Sequence, residues 1–184
     1  MTIINIRGTS GCGKSTVVRA LMGDNAEPLP NEKGRVENYR IPGVDGKPDT
    51  YIIGRYETAC GGCDGVKTQN EICNRVRHFS KLGNVVFEGL LISHLHSRYR
   101  DLARELGEED FVFLFLDTPL EVCLDRVRAR REARGNMKPL NPKNTTDKWN
   151  DMRRVSQKLI DDKLRVEWID YTSPFWRARE LLGL

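Results

Sequence analysis

Residues 2–15 read TIINIRGTSGCGKS, and this stretch decides the fold. Residues 2–6 are apolar and β-branched, the pattern of a buried strand. Gly8, four further residues and then Gly13-Lys14-Ser15 match G-x-x-x-x-G-K-[ST] without a gap. Helix formers follow until Gly23-Asp24 stops them. Strand, glycine-rich turn and helix in this order build a phosphate-cradling loop. Glycines at 8, 11 and 13 let the chain curl so that its N–H groups point inward, and the helix adds its positive end. Lys14 is expected to bridge the β- and γ-phosphates of ATP, with the Ser15 hydroxyl on Mg²⁺. Ser10, Cys12 and Thr16 complete the expected nucleotide contacts.

Outward from this loop, strands are expected at 36–41 and 51–55, joined by a Pro/Gly/Asp turn that can close a hairpin. Further strands are expected at 84–87, 111–116 (FVFLFL) and 166–169. Helices are expected over 68–81, 90–106, 119–134, from 147 to 164, and over 174–182. Residues 25–34 carry two prolines and read as loop. Strands alternating with helices imply an α/β three-layer sandwich, a mostly parallel five-stranded sheet with helices on both faces. A single domain over 1–184 is expected, with an arginine-rich lid at about 126–150.

The net charge of +4 is modest, but Arg and Lys crowd residues 126–165, a stretch suited to nucleotide phosphates or a nucleic-acid backbone. Five cysteines, an odd count, read as reduced thiols. No apolar run approaches the roughly 18 residues of a membrane span, so no membrane partner is expected. The strand pattern begins at Thr2 and leaves no room for a secretory signal, which argues for the cytoplasm.

A metal-bound triphosphate needs an acidic group nearby, and Glu88, closing the strand at 84–87, stands where one belongs. Asp117 reads as a helix cap. Arg126, Arg130 and Arg134 share one helical face and can clamp a transferring phosphoryl group, whereas Lys143 and Arg153 are weaker candidates. Residues 57–64 (ETACGGCD) read as an acceptor loop, with Gly61-Gly62 allowing close approach of substrate. Its CxxC lacks a second closely spaced pair, which argues against zinc. An alcohol acceptor gains from a carboxylate base; Asp64 and Glu57 are both placed for it, with Asp64 preferred because glycines flank it. Tyr51, Tyr56 and Trp149 suit either base stacking or core packing.

Residues 6–19 (IRGTSGCGKSTVVR), 54–65 (GRYETACGGCDG), 85–93 (VVFEGLLIS), 115–131 (FLDTPLEVCLDRVRARR) and 141–144 (NPKN) together resemble the bacteriophage 5-hydroxymethyluracil DNA kinases. The resemblance implies ATP-dependent phosphorylation of the hydroxymethyl group of that base in DNA, on the way to hypermodified thymine. It places Gly13, Lys14, Ser15 and Thr16 on ATP and Mg²⁺, Asp64 and Glu88 at the acceptor, and Arg130 and Arg134 in the lid. A target base in a duplex must be flipped out to be reached, and the basic stretch at 126–165 is expected to hold the DNA backbone meanwhile. The alternatives are a kinase of a free nucleotide or small alcohol, and a non-catalytic nucleotide-binding module.

Overall fold

The computed structural model describes residues 1–57 and 61–184, so Thr58, Ala59 and Cys60 of the expected acceptor loop lie outside the described residues. Among the described residues seven strands form one sheet: β1 (Ile3–Arg7), β2 (Glu27–Pro30), β3 (Val36–Ile41), β4 (Thr50–Ile53), β5 (Asn84–Glu88), β6 (Phe111–Asp117) and β7 (Val166–Asp170). Their order is β2-β3-β4-β5-β1-β6-β7. From β4 to β7 in this order every pairing is parallel, so the sheet is mostly parallel as expected, but among the described residues it has seven strands rather than five. The other two strands add an antiparallel extension, β2 on β3 and β3 on β4.

The extension includes a departure from expectation. Residues 27–30 (EPLP) form the edge strand β2 rather than loop. Proline cannot donate to a ladder, but an edge strand needs donors on one side only. The expected hairpin between β3 and β4 is present, with Asn38 opposite Ile53 and Ile41 opposite Thr50.

Helices α1 (Lys14–Met22), α2 (Gln69–Phe79), α3 (Leu90–His94), α4 (Ser97–Leu106), α5 (Leu120–Glu132), α6 (Lys143–Asp161) and α7 (Pro174–Leu182) cover the sheet. Alternate residues of β6 feed two separate cores. Phe111, Phe113 and Phe115 pack with Ile72 and Val76 of α2, Tyr99 and Leu102 of α4 and Leu159 of α6. Leu114 and Leu116 pack with Val17, Val18 and Leu21 of α1 and with Ala178 and Leu182 of α7. A strand covered on both faces needs no polar side, which is why FVFLFL carries none. Each such side chain contributes about 1.5–3 kcal/mol of burial.

Residues 90–106 form two helices instead of one. Leu95 adopts an extended conformation between them, and its carbonyl accepts a bond from Arg7 Nη1 at 3.0 Å. Arg7 is fully buried at the end of β1, bonded to Asn5 Oδ1 at 2.6 Å and lying 4.8 Å from the Phe113 ring centre. Burial pushes its pKa down to about 9, so it remains charged at neutral pH and draws carbonyls and ring faces towards it. α6 begins at Lys143, directly after Pro142, which shortens the expected loop at 135–146. Asp117 does not cap α5: Pro119 occupies the N-cap position, and Asp117 Oδ1 accepts from Arg153 at 3.1 Å.

After β4 the chain turns back through Gly54, whose φ is 106°, so that Arg55 and Gly62 exchange backbone bonds of 3.3 and 2.7 Å. A Cβ at Gly54 would lie 2.3 Å from the carbonyl carbon of Gly62. Gly54→Ala is therefore expected to lower unfolding free energy by at least about 1–3 kcal/mol in urea titrations, from the positive φ alone.

Candidate functional site

The carboxyl ends of the parallel strands meet where the chain, after β1, crosses to β4 and β5 on one side and later to β6 and β7 on the other. Ligands of open α/β sheets bind at such a crossing. The cavity there has a volume of about 700 Å³.

Its floor is the loop from Thr9 to Ser15. Gly11 and Gly13 have φ of 83° and 107°, and a Cβ at Gly11 would stand 2.4 Å from the Cys123 carbonyl oxygen. No side chain caps α1. Among the described residues the N–H groups of Gly11, Gly13, Lys14 and Ser15 find no protein acceptor. The loop is pinned from outside: Gly8 N donates to Ser93 Oγ at 3.2 Å, and Thr118 Oγ1 donates to the Cys12 carbonyl at 2.9 Å. Thr9 Oγ1 donates to the Thr145 carbonyl at 3.4 Å, and Arg126 Nη1 to the Gly11 carbonyl at 3.2 Å. The result is a rigid anion cradle.

Lys14 is 7% exposed, and its Nζ donates to the carbonyls of Gly8 and Thr9 at 2.7 and 3.1 Å. Burial works against its charge, but Cys12, Glu88, Asp64 and Cys123 together outweigh it and raise the pKa above the ordinary lysine value. Glu88, at the end of β5, is 1% exposed and accepts from Ser15 Oγ at 2.7 Å. Burial lifts its carboxyl above the ordinary 4.5, opposed by Lys14 and by the Ser15 bond. Ser15 and Glu88 thus present adjacent hard oxygen donors, a set that suits Mg²⁺ shared with substrate phosphates.

Asp64 lies in a 3₁₀ turn, Cys63–Gly65, exposed to solvent, with Oδ1 accepting from Leu90 N at 2.8 Å. It lines the same cavity as Lys14 and Glu88. Ser10, Cys12, Gly13, Thr16 and Gly61 line it too, as do Arg126 and Arg130 from α5.

Four of the expected residues stand elsewhere. Gly8 lies beneath the loop, where a Cβ would meet Cys12 Sγ at 2.1 Å. Gly62 backs onto Glu88, leaving only 2.5 Å between a Cβ and Glu88 Oε1. Glu57 turns to Tyr39, accepting its hydroxyl at 2.7 Å. Arg134 follows the end of α5 and does not line the cavity. The aromatics Tyr51, Tyr56 and Trp149 serve packing: Tyr51 stacks on Phe79 at 4.7 Å, Tyr56 is 6% exposed, and Trp149 Nε1 donates to the Thr118 carbonyl at 3.0 Å.

The structure also adds residues that the sequence reading missed. Tyr171 and Thr172, between β7 and α7, and Pro174 and Phe175, the first residues of α7, form one wall of the cavity. The ring of Tyr171 lies 5.4 Å from the Arg126 guanidinium carbon. A Tyr-Thr-Ser-Pro-Phe run just past a parallel strand was the available signal, since those strand ends carry ligand sites.

Comparison with known proteins sharpens this picture. A family model described as an AAA domain matches residues 4–149. A 5-hmdU DNA kinase of Pseudomonas phage PaMx11 is 39% identical over 186 aligned positions, covering 98% of this chain and 96% of that protein. The chain belongs to the 5-hmdU DNA kinase family. A second member, the 5-hmdU DNA kinase of Pseudomonas phage M6, is 33% identical and covers 88% of this chain and 87% of its own length. Among solved structures, a chain of the PezAT toxin–antitoxin system of Streptococcus pneumoniae is similar in fold, with a TM-score of 0.53, 16% identity, and coverage of 92% of this chain and 68% of that one. As a family member the chain is a kinase with a nucleotide-binding P-loop. No helix among the described residues is long and apolar enough to cross a membrane.

The raised Glu88 pKa has a consequence for stability. The folded state holds the Glu88 proton more tightly than the unfolded chain, so this group's contribution is greatest below about pH 4.5 and is lost as pH rises through the higher folded value. Glu88→Gln removes that dependence. The melting temperature of the variant minus that of the parent is expected to increase as pH is raised from 4 to 8, followed by scanning calorimetry.

Proposed function

We propose that this chain transfers the γ-phosphoryl group of ATP to the hydroxymethyl oxygen of 5-hydroxymethyluracil within DNA. The observation that carries this reading is one cavity holding both a phosphate cradle and a solvent-reachable carboxylate, Asp64, in a chain of the 5-hmdU DNA kinase family. The triphosphate lies along Gly11–Ser15, with Lys14 against its β- and γ-oxygens. Tyr171, Pro174 and Phe175 offer an apolar wall on which a purine can stack. Mg²⁺, held by Ser15 Oγ and Glu88, would neutralise phosphate charge when bound.

The remaining work falls to side chains of the cavity. Asp64 accepts the proton of the acceptor hydroxyl. The hydroxymethyl oxygen then bonds to the γ-phosphorus as the bond to the β–γ bridging oxygen breaks, and ADP leaves. Arg126 and Arg130 face the charge that develops on the equatorial oxygens, and Arg134 joins them if the lid at about 126–150 closes. Gly61 lines the cavity beside Asp64, and its Cβ position is closed by the Tyr56 ring at 2.6 Å.

The test is incubation with ATP, Mg²⁺ and an oligonucleotide containing 5-hydroxymethyluracil, followed by digestion to nucleosides and mass spectrometry. The expected result is a modified nucleoside heavier by one phosphoryl group; its absence overturns the reading. Asp64→Asn is expected to lower kcat by about 10²–10⁴-fold while ATP affinity is kept, as a lost general base does. Lys14→Ala is expected to weaken binding of a fluorescent ATP analogue as well as turnover, with the far-ultraviolet circular dichroism unchanged.

A further inference from the structure

The residues at 126–165 that the sequence offered for the DNA backbone are largely engaged. Arg128 pairs with Asp125 at 2.7 Å, Lys143 with Asp147 at 2.8 Å, Arg153 with Asp117 at 3.1 Å and Arg165 with Glu167 at 2.8 Å. Arg154 is paired with Asp151, and Arg126 and Arg130 face the nucleotide cavity.

A second cleft, of about 680 Å³, opens on the other side of the Asp64 turn. Asp64 lines the nucleotide cavity and Gly65 lines this cleft, so one 3₁₀ turn is the wall between them. The far wall is the turn between β2 and β3. Because β3 runs antiparallel to β4, this turn lies at the carboxyl end of the parallel strands, the same end as the phosphate loop. Lys33, Arg35, Arg55 and Lys67 surround the cleft, all exposed. Of its three acids, Glu37 and Glu71 pair with Arg75, Glu37 at 2.5 Å, and Glu32 alone has no ion-pair partner among the described residues, against four exposed cations. Among the described residues the side chains of Lys33, Arg35 and Lys67 have no carboxylate partner.

The turn is built to hold its cations in place. Asn31 Oδ1 accepts from Lys33 N at 2.9 Å and from Arg35 N at 3.1 Å, while Asn31 Nδ2 donates to Glu37 Oε1 at 2.9 Å. Asn31 N donates to the Arg35 carbonyl at 2.8 Å. Cations fixed on a rigid turn lose less freedom when they meet phosphates than cations on a mobile tail.

We infer that this cleft, through Lys33, Arg35 and Lys67, binds the sugar–phosphate backbone of the DNA strand next to the flipped nucleotide. The inference rests on DNA being the substrate. Lys67 is three residues from Asp64, so a strand whose base reaches Asp64 passes its neighbouring phosphates directly over the cleft. Contacts of this kind position the strand and carry no sequence preference of their own.

The test is equilibrium binding of a fluorescein-labelled oligonucleotide containing 5-hydroxymethyluracil, read by anisotropy across a salt series. The variant Lys33→Glu/Arg35→Glu/Lys67→Glu is compared with Lys47→Glu/Lys81→Glu/Arg104→Glu, which makes the same charge change at exposed sites away from the cleft and outside 126–165. Each phosphate contact contributes about 0.7–0.9 to the slope of log affinity against log salt, so the cleft variant is expected to lose about 2–3 from the parental slope. The parent should then lose roughly 16- to 64-fold more affinity than the cleft variant between 50 and 200 mM salt. The comparison variant is expected to keep the parental slope, and both should bind a fluorescent ADP analogue as the parent does. An unchanged slope in the cleft variant, or equal losses in both, overturns the inference. Binding through the cleft without phosphoryl transfer by the parent leaves the inference standing and overturns the proposed reaction instead.

Discussion

A helix whose first N–H groups meet no protein acceptor is an open invitation to an anion. Among the described residues α1 is such a helix at Lys14 and Ser15, and the constraint on everything around it is to keep those groups uncovered and still. Gly11 takes a backbone conformation that side chains resist, pressed against the Cys123 carbonyl, and so brings α5 within reach of the loop. Ser93, Thr118, Thr145 and Arg126 then bind the loop from four separate elements or connections. None of these bonds is strong alone. Together they fix a loop whose own backbone bonds are few.

The same demand explains the buried charges. Lys14 and Glu88 are both withdrawn from water, and each is costly to bury alone. Their proximity lowers that cost. Glu88 stands behind Gly62 and before Ser15, so β5, the Asp64 turn and the phosphate loop meet at one carboxylate. Because Asp64 Oδ1 holds Leu90 N, this turn is also tied to the start of α3, the helix that carries Ser93 to the loop. The phosphate loop and the Asp64 turn are therefore one hydrogen-bonded unit.

Much of this was legible locally. The phosphate loop, the bounds of α1 and α7, the β3–β4 hairpin and the double-faced burial of β6 follow from motif spacing, stop signals and alternation, all short-range properties. Misreadings arose where a distant partner decided the outcome. The prolines of 27–30 look like loop until an edge position is available for them. The interruption between α3 and α4 depends on Arg7, 88 residues from the Leu95 carbonyl it binds. Asp117 looks like a cap until Arg153 reaches it, and Glu57 looks like a base until Tyr39 claims it.

By itself the sequence determined the chemistry on offer: an anion cradle, a lysine, a hydroxyl and several acids, each recognisable because its neighbours in the chain create its function. Only the tertiary structure decided which acids share a cavity and which cations remain unpaired. Sequence spacing says nothing about the path of a chain across a sheet, and charges at 33, 35 and 67 become one surface only after β3 folds back along β4. Pairing is a property of three-dimensional distance, because Coulomb attraction in salt water is screened beyond about 8–10 Å, and that distance is set by packing.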